Sequence, residues 1–141
     1  MKVDLEEVNW QLHENPFDAY MDFRIERIEE GGRAELSFYP KKENFANGKG
    51  IMHGGGLYAL ADSAMGVACY SLGKPVVSLD LSLNYLAAVQ VDCRILAKAA
   101  VVHNGRKTMV CTCDFYDENG RHLGYAKGTF FVIEPKEGAE A

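Results

Sequence analysis

The sequence has a deficit of positive charge and lacks any long apolar run. It contains 15 Lys and Arg against 20 Asp and Glu, a formal net charge of −5. A nucleic-acid-binding protein normally carries a basic stripe, so the charge argues against that partner. No apolar stretch approaches the roughly 20 residues that span a bilayer, and the acidic start MKVDLEEVNW lacks the basic and apolar regions of a secretory signal. We therefore expect a cytoplasmic protein without a nucleic-acid or membrane partner.

Several cofactor and catalytic motifs are also missing. The four cysteines form no C-x-x-C pair, which predicts free thiols. There is no G-x-S-x-G elbow of a serine hydrolase, no P-loop and no G-x-G-x-x-G. His13, His103 and His122 are isolated and show no metal-ligand spacing. We expect neither a cofactor nor a metal site.

The 141 residues are enough for one domain with a hydrophobic core, and no repeat or linker divides them. We therefore predict a single domain over residues 1–141, with a disordered tail at 134–141. A first helix is expected after the N-cap Asp4, with Pro16 ending that segment. Alternation predicts a strand from Met21 to Glu26 and, after a glycine turn, a second over residues 33–38.

One apolar helix is predicted in the middle of the chain. After the loop 41–50, apolar residues recur at helical spacing, and Gly73 and Pro75 end the helix. The residues of this apolar stripe are Leu57, Leu60, Ala61, Ala64, Met65 and Ala68. The flanks of this helix are Ala, Gly and Ser rather than Lys and Glu, so we expect other elements to surround it.

The second half of the chain is typical of antiparallel strands. Alternation over residues 77–85 predicts a strand with Val77, Leu79, Leu81, Leu83 and Tyr85 on one side. Further strands are predicted over 91–103, 108–116 and 122–133, with Asn-Gly hairpin turns at Asn104 and Asn119. The whole pattern indicates an α+β fold in which an antiparallel sheet wraps around one central helix.

The point where the loop becomes the helix carries the first chemical signal. His53 precedes three glycines there, Gly54, Gly55 and Gly56. Free backbone N–H groups at a helix start attract an oxygen that gains negative charge, and glycine lets a substrate lie against the backbone. The alternative interpretation, a flexible helix entry with a histidine that only packs, is left open by these residues alone.

Asp62 is the second signal. It is the only acidic residue between Gly50 and Gly73, and that interval contains no Lys or Arg. A carboxylate without an ion-pair partner in a buried helix is costly unless it is paired or functional. The alternative is partial exposure at the edge of the helix.

The two signals together are recognisable as a family motif. Asn47 stands six residues before His53-Gly54-Gly55, and Asp62 stands nine residues after the histidine within L-A-D. This pattern resembles the PaaI-like thioesterases of the hotdog fold, over roughly residues 21–132. The resemblance implies hydrolysis of an acyl-coenzyme A (acyl-CoA) thioester to free acid and coenzyme A.

Site roles follow from the resemblance. It implies that the Gly54 N–H polarises the thioester carbonyl and that His53 and Asn47 shape that end of the site. Asp62 is implied as the general base or nucleophile, with the Ser78 hydroxyl orienting the attacking water.

Substrate contacts are implied in the same way. The second glycine, Gly55, is expected to lie against the substrate, and Arg106 and Lys107 to meet the nucleotide end of coenzyme A. A solvated turn is the alternative for these two cations. The third glycine, Gly56, departs from the family pattern and is expected to widen the acyl pocket or to loosen the helix start. Ala87-Ala88 replaces a common Arg-Pro, which puts one contact to the coenzyme A phosphates in doubt.

The spacing also bears on assembly. Nine helical positions from His53 to Asp62 would span on the order of 12–13 Å, too far for both to contact one carbon. The resemblance implies an antiparallel homodimer with shared active sites, which pairs into a homotetramer.

The functional alternatives are a non-catalytic acyl-CoA-binding or sensing module and a hydratase or dehydratase of 3-hydroxyacyl thioesters. The acyl group and the carrier, coenzyme A or acyl carrier protein, stay open.

Overall fold

Over residues 3–133, which the computed structural model describes, two helices and two strands are followed by two more helices and four strands. The helices are α1 (Leu5–Leu12), α2 (Pro16–Met21), α3 (Lys42–Phe45) and α4 (Gly54–Tyr70). The strands are β1 (Arg24–Glu29), β2 (Arg33–Phe38), β3 (Val76–Tyr85), β4 (Ile95–Asn104), β5 (Thr108–Tyr116) and β6 (His122–Val132). The predicted tail at 134–141 lies outside the described residues.

A single six-stranded sheet holds the chain together around α4. Its strand order is β1-β2-β4-β5-β6-β3, and every neighbouring pair is antiparallel. Helix α4 contacts β2, β3, β4, β5 and β6, and its predicted apolar stripe is fully buried. The predicted α+β fold, a sheet wrapped around one central helix, is confirmed.

The N-terminal segment differs from its prediction. Asp4 caps α1 as expected, since its Oδ1 accepts the Glu6 N–H at 3.0 Å. Pro16, however, begins α2 instead of ending a helix, because the first helical position needs no N–H donor. The strand expected from Met21 therefore starts at Arg24, after Asp22 turns the chain with a left-handed φ of 55°.

Two other predicted element boundaries also differ from the structure. The predicted loop at 41–50 contains the short helix α3, and the strand predicted from Val91 begins at Ile95. The glycine turn before β2 is confirmed, and it needs glycine because Gly31 and Gly32 have φ of 86° and 79°.

Strand β3 does not alternate as predicted. The register with β6 shifts between Ser78 and Asp80, so Leu79 lies in a β-bulge. As a result Leu81 and Leu83 pack against the core, whereas Val77 and Leu79 are exposed. The bulge reverses which side chains face α4, and a period-2 pattern cannot show such a reversal.

Helix α4 is surrounded only in part. Its apolar stripe is buried, but Tyr58, Asp62 and Tyr70 are exposed in the single chain. Within residues 3–133 no helix has the length and apolar character needed to cross a membrane.

Candidate active site

Hydrogen bonds at the start of α4 leave one backbone donor unused. His53 is the N-cap, and its Nδ1 accepts the Gly55 N–H at 2.9 Å. The Gly56 N–H donates to the His53 carbonyl at 3.0 Å. No group among the described residues accepts the Gly54 N–H. This amide, at the positive end of a 17-residue helix, can therefore donate to a bound carbonyl oxygen.

The His53 ring has a defined role in this arrangement. Because Nδ1 accepts a hydrogen bond, the neutral ring carries its proton on Nε2. The ring is exposed, so Nε2–H is free to donate to a substrate. His53 thus caps the helix through one nitrogen and presents a donor through the other.

Asn47 shapes the loop that leads to His53. Its side-chain oxygen accepts the N–H groups of Lys49 at 2.8 Å and Ile51 at 3.3 Å. The loop is also tied down where the His53 N–H donates to the Phe45 carbonyl at 2.7 Å. Asn47 therefore holds the backbone of the loop that leads to His53.

Tyr85 was not among the predicted site residues. It ends β3, and its hydroxyl donates to the Gly54 carbonyl at 2.6 Å. A Cβ on Gly54 would lie 2.9 Å from this hydroxyl, so the glycine makes room for the tyrosine. The sequence placed Tyr85 on an apolar face but contained no signal for this partner 31 residues away.

The third glycine does not open a pocket. A Cβ on Gly56 would lie 3.2 Å from the Met52 sulfur, so Met52 already fills the space beside this glycine. The expectation that Gly56 widens an acyl pocket is not supported by this packing.

Asp62 lies midway along α4 and is exposed in the single chain, which matches the alternative of a helix edge rather than a buried carboxylate. The Ser78 hydroxyl donates to Asp62 Oδ1 at 2.5 Å. No donor among the described residues bonds Oδ2. One carboxylate oxygen is thus held while the other remains available to a water molecule.

A second carboxylate, Asp18 of α2, lies beside Asp62 and was missed by the sequence analysis. The Ser63 hydroxyl donates to Asp18 Oδ1 at 2.5 Å. Burial raises the pKa of Asp18, the Ser63 hydrogen bond opposes that shift, and the charge of Asp62 adds to it. Only the docking of α2 on α4, 45 residues later in the chain, places Asp18 there.

A groove of about 1040 Å³ runs beside these two carboxylates, between α1, α2 and α4. Asp18, Asp62, Ser63 and Ser78 supply polar groups to its wall. Much of the remaining wall is apolar: Val8, Leu12, Ile25, Ile28, Val67, Val76 and Phe130. An apolar groove next to a few polar groups is typical of a ligand site.

The predicted site residues form two separate groups within one chain. Eight helical positions separate Gly54 from Asp62, about 12 Å at 1.5 Å per residue. We call Asn47, His53, Gly54, Gly55 and Tyr85 the amide half-site, and Asp62 with Ser78 the carboxylate half-site.

Arg106 and Lys107 lie at the end of the sheet that carries the carboxylate half-site. Both are exposed in the β4–β5 turn. Ser78 pairs with Phe130, which pairs in turn with Met109, so one row across the sheet leads from Ser78 to this turn. The two cations are therefore remote from the amide half-site of their own chain.

Among the described residues, no group of three His, Cys, Asp or Glu side chains could hold a metal ion.

Other proteins are similar to this chain in sequence. The family model of the thioesterase superfamily matches residues 49–123, which include His53, Gly54, Asp62 and Ser78. A protein of Archaeoglobus fulgidus, named "Putative esterase", is 31% identical over 113 residues, 80% of this chain and 72% of that protein. Acyl-coenzyme A thioesterase PaaI of Escherichia coli is 29% identical over 82 residues, 58% of this chain and 59% of that protein.

Solved structures share the fold. The Escherichia coli PaaI protein matches with a TM-score of 0.82 at 25% identity, covering 93% of this chain and 97% of that one. A hypothetical thioesterase protein from Streptococcus pneumoniae, solved with coenzyme A, matches with a TM-score of 0.79 at 31% identity, covering 88% and 95%. The chain therefore belongs to the thioesterase superfamily, as a PaaI-like protein with the hotdog fold.

Proposed function

We propose that this protein hydrolyses an acyl-CoA thioester to a free acid and coenzyme A. The observation that carries the proposal is the Asp62 carboxylate, which Ser78 holds at 2.5 Å through one oxygen while the other stays free. The same helix begins with the Gly54 N–H, which no other residue of the described range accepts. The similarity to a protein named acyl-coenzyme A thioesterase and to a structure solved with coenzyme A supports this substrate class.

The amide half-site stabilises the developing oxyanion in this mechanism. The thioester carbonyl oxygen accepts the Gly54 N–H, and the positive end of α4 favours the negative charge. His53, the N-cap of the same helix, positions the substrate through its Nε2–H. Gly55, which is exposed, lies against the bound thioester.

The carboxylate half-site activates water. Asp62 Oδ2 takes a proton from the water as its oxygen bonds to the acyl carbon, and collapse of the tetrahedral intermediate breaks the C–S bond. The thiolate of coenzyme A leaves and takes up a proton. Direct attack by Asp62 is the alternative chemistry and would expel the thiolate to give an anhydride. Attack of labelled water on the Asp62 carbonyl of that anhydride would leave ¹⁸O in Asp62 and release the free acid.

We propose that each active site is shared by two chains. The acyl carbon must lie within about 3.5 Å of the attacking atom while its oxygen bonds Gly54, and about 12 Å of helix separates the two groups in one chain. An antiparallel homodimer supplies Gly54 from one protomer and Asp62 from its partner, giving two equivalent sites. Two such dimers form the proposed homotetramer.

Exposed apolar residues on β3 support this assembly. The strand lies at an edge of the sheet, and its exposed side chains include Val77, Leu79 and Leu86 just beyond its end. Apolar edge strands are usually covered by another chain or element. In the dimer the groove takes the acyl group, and Arg106 and Lys107 meet the phosphates of coenzyme A.

A complementation experiment tests the shared site. Asn47→Ala/His53→Ala protein and Asp62→Asn protein, each inactive alone, are refolded together. Half of the dimers are hybrids with one intact site, so activity should return to about a quarter of the wild-type value. The matched control mixes Asp62→Asn with a variant that carries all three substitutions, because those hybrids contain no intact site.

Two results would contradict the proposal. Differently tagged chains show whether hybrids form. If hybrids form and no activity returns, the shared site is excluded. Wild-type protein that binds acyl-CoA but releases no thiol across an acyl-CoA panel, corrected for the native cysteines, would instead indicate the non-catalytic binding module.

A further inference from the structure

We propose that Tyr85 is a positioning residue of the active site, whose hydroxyl fixes the first peptide groups of α4 so that the Gly54 N–H is aimed at the thioester. The inference rests on the thioesterase function proposed above. It assigns a role to a strand residue that lies outside the family motif around His53 and Asp62.

The start of α4 needs an external support because its first three residues are glycines. Glycine in a helix is less favourable than alanine by about 1 kcal/mol, since its backbone has more conformational freedom to lose. Gly54, Gly55 and Gly56 have no side chains that could pack and restrain the first turn. Two side chains supply the restraint: His53 Nδ1 accepts from Gly55, and the Tyr85 hydroxyl donates to Gly54.

The contact between Tyr85 and Gly54 is close as well as polar. The hydroxyl lies 2.6 Å from the Gly54 oxygen. The hydroxyl oxygen and Cζ would lie 2.9 Å and 3.3 Å from a Cβ built on Gly54. The tip of the tyrosine therefore occupies the volume of the missing side chain. The hydrogen bond holds the Gly54–Gly55 peptide group, and the ring tip beside Gly54 limits how far the Gly54 backbone can rotate.

The β-bulge at Leu79 explains how one strand serves both half-sites. Ser78 and Tyr85 are an odd number of residues apart, so in a regular strand they would point to opposite faces. Both face α4 here, because Ser78 bonds Asp62 and Tyr85 bonds Gly54. Bulges that re-aim side chains are common next to active sites. β3 thus fixes the orientation of both catalytic groups.

The tyrosine is suited to act as a permanent donor. Burial raises its pKa above the ordinary value, and the nearby Tyr58 adds to the shift. The Tyr58 and Tyr85 ring centroids are 6.4 Å apart. Because the group stays protonated at neutral pH, the hydrogen bond to Gly54 is maintained over the working range of the enzyme.

The first test separates positioning from substrate binding. Tyr85→Phe keeps the ring and removes the donor, so kcat should fall about 5- to 30-fold while KM changes less than about two-fold. Tyr125→Phe is the matched control, because Tyr125 is 47% exposed, as Tyr85 is, and lies on the neighbouring strand. An unchanged kcat in Tyr85→Phe, in a preparation whose wild-type protein is active, would overturn the inference.

The second test does not depend on activity. Gly54→Ala places a methyl group 2.9 Å from the hydroxyl and should lower Tm in the native background. In the Tyr85→Phe background the hydroxyl is gone, so at least half of that loss should disappear. An equal loss of Tm in both backgrounds would show that the contact does not restrain Gly54. If the wild-type protein shows no turnover, the proposed function and the role of Tyr85 in it are both wrong. This holds even if the Tm values show that the Gly54→Ala and Tyr85→Phe substitutions interact.

Discussion

The two half-sites on α4 are built by different physical means. The amide half-site uses backbone groups, and its donor is free because the first N–H of a helix has no intrahelical acceptor and the His53 cap accepts from Gly55 instead. The carboxylate half-site uses a side chain, Asp62, whose orientation depends on one hydroxyl, Ser78. Among natural residues only proline deletes a backbone N–H donor, whereas a carboxylate can be neutralised with little change in shape. Substitutions should therefore affect chemistry most at Asp62 and affect geometry most at the helix start.

The largest effect is expected for Asp62→Asn. The substitution keeps the shape and an acceptor for Ser78 but removes the base, so kcat should fall at least about 10²-fold. Tm should hold or rise, since loss of the Asp62 charge removes its repulsion of the Asp18 carboxylate. Asp22→Asn is the matched control, because Asp22 is exposed and asparagine tolerates its left-handed backbone. Wild-type turnover in Asp62→Asn would show that Asp62 is not the base. The two half-sites would then not differ in the way described.

An intermediate effect is expected at His53, where capping and substrate contact can be separated. His53→Ala should lower kcat/KM by roughly 1–3 kcal/mol of transition-state stabilisation. It should also destabilise the fold by about 1 kcal/mol, because the N-cap is lost.

His53→Asn is the comparison that distinguishes the two roles. Asparagine is a good N-cap, so Tm should recover while kcat/KM stays low. Recovery of both quantities would mean that His53 only caps the helix. Kinetics on one acyl-CoA together with thermal unfolding of each variant give the answer.

The smallest effect on turnover is expected at Asp18. Its carboxyl has a raised pKa in the folded state, so the folded protein binds that proton more tightly than the unfolded chain. Stability from this group is therefore greatest at low pH and falls as pH rises from the unfolded value near 4 through the raised folded value. Asp18→Asn keeps an acceptor for Ser63, and Tm at pH 7 should rise because the amide does not ionise in this partly buried position.

The pH dependence of Tm gives the independent check on Asp18. The Asp18→Asn protein should have a flatter Tm profile than wild type just above pH 4. A kcat within about two-fold of wild type is expected, because Asp18 bonds Ser63 and does not hold Asp62 directly. A large loss of kcat with unchanged Tm would instead place Asp18 in the carboxylate half-site.

Predictions from the sequence were accurate where the signal was local. The apolar stripe of α4 repeats within a few turns, and the turn at Asn119-Gly120 lies between β5 and β6 as predicted. At the other Asn-Gly pair the connection is short as expected, but Asn104 ends β4 and the turn begins at Gly105. The corrections fall where two local interpretations were possible. Pro16 can end one helix or begin another, and only the packing of α2 on α4 favours the second.

The sequence alone therefore determined the fold class and the order of chemical groups along α4, because hydrophobic period, turn residues and motif spacing are local properties. The tertiary structure decided which groups meet. Ser78–Asp62, Tyr85–Gly54 and Asp18–Ser63 join residues 16, 31 and 45 positions apart. The first two contacts depend on a bulge that reverses the phase of β3, and the third depends on a docked helix. Strand phase and helix docking are set by the packing energy of the whole domain, so no short segment of sequence specifies them.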